Sequence, residues 1–260
     1  WLIKARVLLE RGFFILVFMN KNYFILPIAL FSQILFSQDL ITDRPDQTES
    51  AVVVGDKKIQ IESGILNQEN SGGEKNLSIP TNLFRYGISQ KIELRLNLEH
   101  SDKKNYGIES IEIGSKINLN KNQNSLTKIA LLSHLLLPKE KKNLGIMNLI
   151  SISHDQIKNL SIGYNLGYTH FMNQSGFLKY SIAFGTGLSE KIGFFIETYG
   201  EIEKSEMPIS NFDSGFTYLV KNNLQIDISF GLGINNQMNF QSIGVSWKSK
   251  KNKTKTKKTN

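Results

Sequence analysis

From Asn223 to Asn235 the chain reads NLQIDISFGLGIN, an unbroken alternation of apolar with polar or glycine positions. Leu224, Ile226, Ile228, Phe230, Leu232 and Ile234 fall on one side; Gln225, Asp227, Ser229, Gly231 and Gly233 fall on the other. Alternation at period two predicts a β-strand, because successive side chains point to opposite faces of a sheet. The stretch is long for a soluble strand and matches the roughly 9–11 residues that cross a bilayer at a tilt. Its interleaved face suits a water-facing lumen.

The pattern recurs along the chain. Candidate strands cover 58–67, 77–88, 91–99, 108–119, 126–137, 144–154, 160–171, 177–188, 192–201, 209–220, 223–235 and 239–247. The third is among the cleanest, with Ile92, Leu94, Leu96 and Leu98 set against Glu93, Arg95, Asn97 and Glu99. The fifth and sixth are irregular, and near LLSHLLLP the chain is apolar at consecutive positions. An even set of long strands predicts an all-β fold, a transmembrane antiparallel up-and-down β-barrel of about twelve strands. Connections after even strands are short (SQ, NKNQNS, QIKN, SE, KN). Those after odd strands, such as NQENSGGEKN and EKSEMPIS, tend to be longer, the asymmetry expected of outer-membrane barrels. A soluble β-sandwich would have to expose its charged faces to bulk water, and the long, even strands argue against it.

Ahead of the strands, residues 19–38 (MNKNYFILPIALFSQILFSQ) read as a signal peptide, with Lys21 in a short n-region and an apolar run from Tyr23 to Phe36. Residues 1–18 read as sequence upstream of the true start. No later run is long enough for a helical anchor. The polar, proline-broken stretch 39–56 predicts an ordered periplasmic segment, 57–247 the barrel, and 248–260 a Lys-rich disordered tail.

Charge adds little to this picture once its distribution is read. The chain carries +8, but the last thirteen residues hold seven lysines and no acid. The first thirty-eight contribute Lys4, Arg6, Arg11 and Lys21 against Glu10, which leaves the body slightly acidic. That excludes a basic groove for nucleic acid. The expected partners are outer-membrane lipids, the barrel-assembly machinery during insertion, and a small solute. With no cysteine, disulfides and Cys-ligated metals are excluded.

The charged residues that alternation turns inward are Glu62, Arg85, Glu93, Arg95, Glu112, Lys116, Glu197, Asp213 and Asp227, with Tyr199 beside them. They are candidates for solute selectivity, or for cross-strand pairs that fill a narrow barrel. Asp43, Arg44, Asp46 and Glu49 are candidates for a charged plug; the alternative is a segment tied down for structure alone. Catalysis has weak support. THFMNQSG (Thr169–Gly176) is similar in outline to the His-x-Ser-Asn element of outer-membrane lipid hydrolases, but Met172 stands at the nucleophile position. His100, His134, His154 and His170 lie on different strands without metal-ligand spacing, so no cofactor or metal is expected.

The segments ITDRPDQTESA (Ile41–Ala51), IQIESGILNQ (Ile59–Gln68), PTNLFRYGISQKIELRL (Pro80–Leu96), SIGYNLGY (Ser161–Tyr168) and NFDSGFTYLVKNNLQIDISFG (Asn211–Gly231) are more specific. Together they resemble the bacterial family labelled transporter, or "MetA-pathway of phenol degradation", in a Bacteroidetes-type member. The resemblance spans nearly all of Asp39–Trp247. It implies an outer-membrane barrel of a Gram-negative bacterium and uptake of small hydrophobic or aromatic molecules by passive diffusion, without enzymatic chemistry. A closed structural or binding barrel is the alternative. The Lys-rich tail departs from the family pattern, in which the chain stops near the terminal aromatic.

Overall fold

The computed structural model describes residues 6–10, 13–17, 29–31, 40–70, 72–102, 106–122, 124–139, 144–157, 160–204 and 206–250. The chain divides into two compact units, Trp1–Ser37 and Gln38–Asn260. In the first, β1 (Arg6–Glu10), β2 (Phe13–Val17) and β3 (Ala29–Phe31) form a small antiparallel sheet. The leader expected over 19–38 lies outside the described residues except at β3, as does the tail beyond residue 250.

In the second unit twelve strands close into one barrel. They are β4 (Ile59–Glu69), β5 (Lys75–Gly87), β6 (Ile92–Ser101), β7 (Gly107–Asn118), β8 (Thr127–Pro138) and β9 (Gly145–Ile157). Then follow β10 (Leu160–Phe171), β11 (Phe177–Gly187), β12 (Ile192–Glu203), β13 (Ile209–Lys221), β14 (Leu224–Gly233) and β15 (Asn239–Lys248). Each pairs antiparallel with its sequence neighbours, and β15 returns to β4 through Gly244↔Gly64 and Ser246↔Glu62. Closure leaves no sheet edge, which lipid would not tolerate. The strands begin and end within two residues of where alternation places them, except that β9 runs three residues further, to Ile157. The asymmetry of the connections is weaker than expected, because 119–126, on the side of the chain ends, is longer than any link at the other end.

The exterior is a sheath of Ile, Leu, Val and Phe. Leu94, Ile113, Leu135, Leu166, Ile226 and Ile243 are all exposed, while Glu93, Lys116, Leu132, Asn165, Gln225 and Ser246 are buried in the lumen. A soluble protein does not surround itself with apolar side chains at every second residue; a bilayer-spanning barrel must. Ile228, near the middle of β14, faces out. Ile228→Arg should destabilise the inserted state by roughly 2–4 kcal/mol if near the midplane. The check is the fraction of heat-modifiable, folded protein recovered in liposomes. Recovery equal to wild type would refute the outward assignment.

The irregular pattern of the fifth and sixth strands has a structural reason. On β8 and β9 part of the lumen face is itself apolar: Ala130, Leu132 and Leu149 are buried and pack with Ala51. Leu131, Leu135, Ile146 and Ile150 face outward. Two apolar faces erase the alternation.

Candidate functional site

Residues 40–58 do not join the barrel wall. Up to Val54 they run inside the lumen, with Leu40, Ala51 and Val54 almost fully buried. The segment leaves the lumen at Gly55, whose φ of +88° is left-handed backbone that glycine adopts readily. There Lys57 N donates to Gly87 O, and Gly87 N donates to Lys58 O, starting β4 against β5.

Walls on all sides bind the segment. Asp43 N and Arg44 N both donate to Glu62 Oε2, at 2.9 and 3.0 Å. Val54 N donates to Glu93, Ala51 N to Ser153, and Glu49 N to Asn165. Gln47 N donates to Glu197 at 2.6 Å, while Thr48 Oγ1 bonds Ser181 and makes a short bond to Glu197. The Arg44 guanidinium crosses to Asp227 (3.2 Å) and Ser242 (2.7 Å). It lies in a slot made by Gly64 and Gly244, which face each other on β4 and β15. A Cβ on either would come within 2.6 Å of it.

The strongest attachment is an ion cluster on β4–β7. Asp43 Oδ2 lies 2.6 Å from Arg95, 2.8 Å from Lys116 and 3.1 Å from Arg85. Arg85 also binds Glu62 and Glu93, each at 2.9 Å, and Arg95 clasps both oxygens of Glu49 at 2.8 Å. Lys116 donates to Ser50 O at 2.7 Å. Arg85 and Arg95 are direct cross-strand partners on β5 and β6. Like charges so placed repel, and two anions lie between them: Glu93 Oε1, 2.9 Å from Arg85 and 3.0 Å from Arg95, and the segment's Asp43. Although burial opposes its charge, the Arg85, Lys116 and Arg95 cations hold the Asp43 carboxyl well below the usual carboxylate range.

A second like-charge pair, Glu197 opposite Asp213, stands on β12 and β13. β12 is six places around the twelve-stranded ring from β6. The lumen is therefore polarised, basic where Arg85, Arg95 and Lys116 cluster and acidic across from it, with Asp227 extending the acidic side on β14. Asp46 of the segment meets this acidic wall. Tyr199 is on the same lumen face as Glu197. Glu112 lies apart from the segment and accepts from His134 Nδ1 at 3.2 Å. Among the described residues no cluster of His, Asp and Glu has the geometry of a metal site.

Sequence reasoning missed several residues of this arrangement, including Gln60, Thr48, Asn165, Ser242 and the two slot glycines. Gln60, Gly64 and Gly244 sit on lumen-facing positions of the alternation, which was the available signal. Next to the segment's tip lies a cavity of about 230 Å³, lined by Arg44, Asp46 and Asn97 and by the apolar Leu66, Leu83 and Phe240.

A closed barrel with an apolar exterior and a charged lumen defines an outer-membrane protein of the porin-like class. Residues 42–248 match the family described as putative MetA-pathway of phenol degradation, and the chain belongs to that family. Its fold is similar to the COG4313 outer-membrane channel from Pseudomonas putida F1, with a TM-score of 0.59 at 8% identity, covering 80% of this chain and 100% of that one. It is also similar to the NanC porin, with a TM-score of 0.57 at 9% identity over 71% of this chain and 98% of that one. For the KdgM porin the TM-score is 0.56 at 11% identity, over 72% and 98%. A search of curated protein sequences finds no match.

Proposed function

We propose that this protein is a passive outer-membrane channel for small aromatic or hydrophobic solutes, with residues 40–54 as a plug in its lumen. The observation that carries the reading is the cavity beside the segment's tip, apolar at Leu66, Leu83 and Phe240 and polar at Arg44, Asp46 and Asn97. At about 230 Å³ it exceeds the roughly 150 Å³ that holds a benzene ring. Its two-sided lining suits a ring bearing a polar substituent. The COG4313 protein is itself called an outer-membrane channel, and the family description names phenol degradation, which favours transport over chemistry. The selectivity residues in this reading are those that touch the segment or the cavity: Arg44, Asp46, Glu62, Arg85, Glu93, Arg95, Lys116, Glu197 and Asp227. Glu112 and Tyr199 tune the lumen beyond it.

The experiment is solute flux into liposomes carrying the refolded barrel, comparing phenol-sized aromatics with sugars of similar mass. Faster entry of the aromatics than of the sugars, reduced by Phe240→Asp, is expected. A folded barrel that admits neither solute class would instead favour a closed structural or binding barrel, a reading that the bonding of the segment to walls on all sides also supports.

A further inference from the structure

The segment's charges complement the wall at every point but one. Asp43 and Glu49 face Arg85, Arg95 and Lys116, and Arg44 faces Asp227. Asp46 instead meets Glu197 and Asp213. Asp213 is fully buried, no donor group bonds either of its carboxylate oxygens, and its side chain lies within hydrogen-bond reach of the Glu197 carboxyl alone. Glu197 is 1% exposed and already accepts from Gln47 N and Thr48 Oγ1. Among the described residues no ion pair joins any of the three to a base.

Glu197 and Asp213 are buried opposite each other, and Asp46 is half-buried beside them. Without a counter-ion the three cannot all be charged, because desolvation and mutual repulsion both oppose it. The remaining choices are a metal ion or protons, and the groups lack metal-site geometry. We propose that Asp46, Glu197 and Asp213 form a proton-binding site whose occupancy holds the plug in the lumen, so that rising pH releases the segment. The proposal builds on the segment being the channel's closure, and it concerns docking rather than flux.

The surroundings agree. The charges that act most strongly on Asp46 are Glu197, Asp213 and Asp43, all acids, while Arg44 lines the same cavity. Tyr199 lies beside Asp213 and Glu197 and offers no cation. On β11, Ser181 and Ala183 face this wall. On the other side Gly231 of β14 faces Asp213. Arg44 is paired with Asp227, and Lys179 of β11 lies 3.9 Å from Glu201. Burial pushes the Asp46 carboxyl well above the usual carboxylate range, and the two wall carboxylates push it further. An acid whose value is raised in the docked state stabilises docking at low pH. That contribution fades as pH climbs through the raised value. Asp43 has the opposite sign, so its contribution is lost only on strong acidification.

The protein has no cysteine, so one introduced thiol reports the segment alone. Ala51→Cys places it in the pocket with Ala130, Leu132 and Leu149. Its maleimide labelling rate is divided by that of Lys250→Cys, at the exposed chain end, which removes the intrinsic effect of pH on thiolate content. In the full-length refolded barrel this ratio should rise with pH, by about tenfold per unit for one coupled proton. Asp46→Asn and, separately, Asp213→Asn should flatten the rise and keep the thiol protected at alkaline pH. Asp46→Asn leaves the barrel wall untouched, so its result stands even if Asp213→Asn folds poorly. A ratio independent of pH, the same pH profile in Asp46→Asn, or protection that follows added sodium or calcium would each overturn the proposal. A barrel that passes no solute but shows pH-dependent labelling would refute transport while leaving the proton site intact.

Discussion

Arg85→Ala is expected to destabilise the barrel by about 3–5 kcal/mol, the scale for removing one partner of a buried ion pair. Arg85 is 1% exposed, and its guanidinium is shared by Asp43, Glu62 and Glu93, with a further bond from Nη2 to Val52 O at 2.9 Å. Its loss strands carboxylates where water does not reach them, and that accounts for most of the expected effect. Arg85→Lys should recover only part of the stability, because an ammonium keeps the charge without the planar fork that reaches several carboxylates at once. Denaturant unfolding in detergent micelles, followed by the heat-modifiable gel shift, gives the comparison. If alanine and lysine variants both match wild type, the cluster contributes nothing to folding. If both collapse equally, charge alone is insufficient and the fork geometry decides.

The same cluster marks the limit of what the amino-acid order conveys. Strands were legible because a spanning strand must alternate, and β14 or β6 allows no other reading. Where the lumen face is apolar, as at Ala130, Leu132 and Leu149, the second face that defines a period disappears. Charges such as Glu93 and Arg95 could be assigned to the lumen from their spacing alone. Their partners could not. Arg85 and Arg95 face each other with Glu93 between them, and Glu197 faces Asp213; Asp43 and the Gln47–Thr48 donors of the segment complete the two sets. The contacts from Asp43 to Glu62, Arg85, Arg95 and Lys116 bridge parts of the chain far apart in sequence, and no periodicity encodes such a path. The DRPDQTES motif carried that information in its composition. Each of Asp43, Arg44, Thr48, Glu49 and Ser50 binds the wall or another residue of the segment.

Deleting residues 40–54 should open the lumen, and single-channel conductance in planar bilayers is the measurement. The segment is bonded to walls around the ring, from Glu62 and Arg85 through Ser153 and Asn165 to Glu197, Asp227 and Ser242. Its removal replaces those contacts with water. The wall charges then regain hydration, so the deletion should be tolerated better than Arg85→Ala, which leaves the segment in place and the carboxylates dry. Conductance steps should be much larger than in the full chain. The double variant Asp43→Asn, Glu49→Gln keeps the segment but removes its anions from the basic wall, and it should flicker between the two levels. Selectivity supplies an independent readout. Without Asp43 and Glu49, the three bases Arg85, Arg95 and Lys116 outnumber Glu62 and Glu93 on their wall, while Glu197, Asp213 and Asp227 remain on the other. Such a transverse field admits ions of both signs along separate sides, so the reversal potential in a salt gradient should move toward zero relative to wild type. Equal conductance with and without the segment would mean that solute passes elsewhere, and the plug assignment would fail.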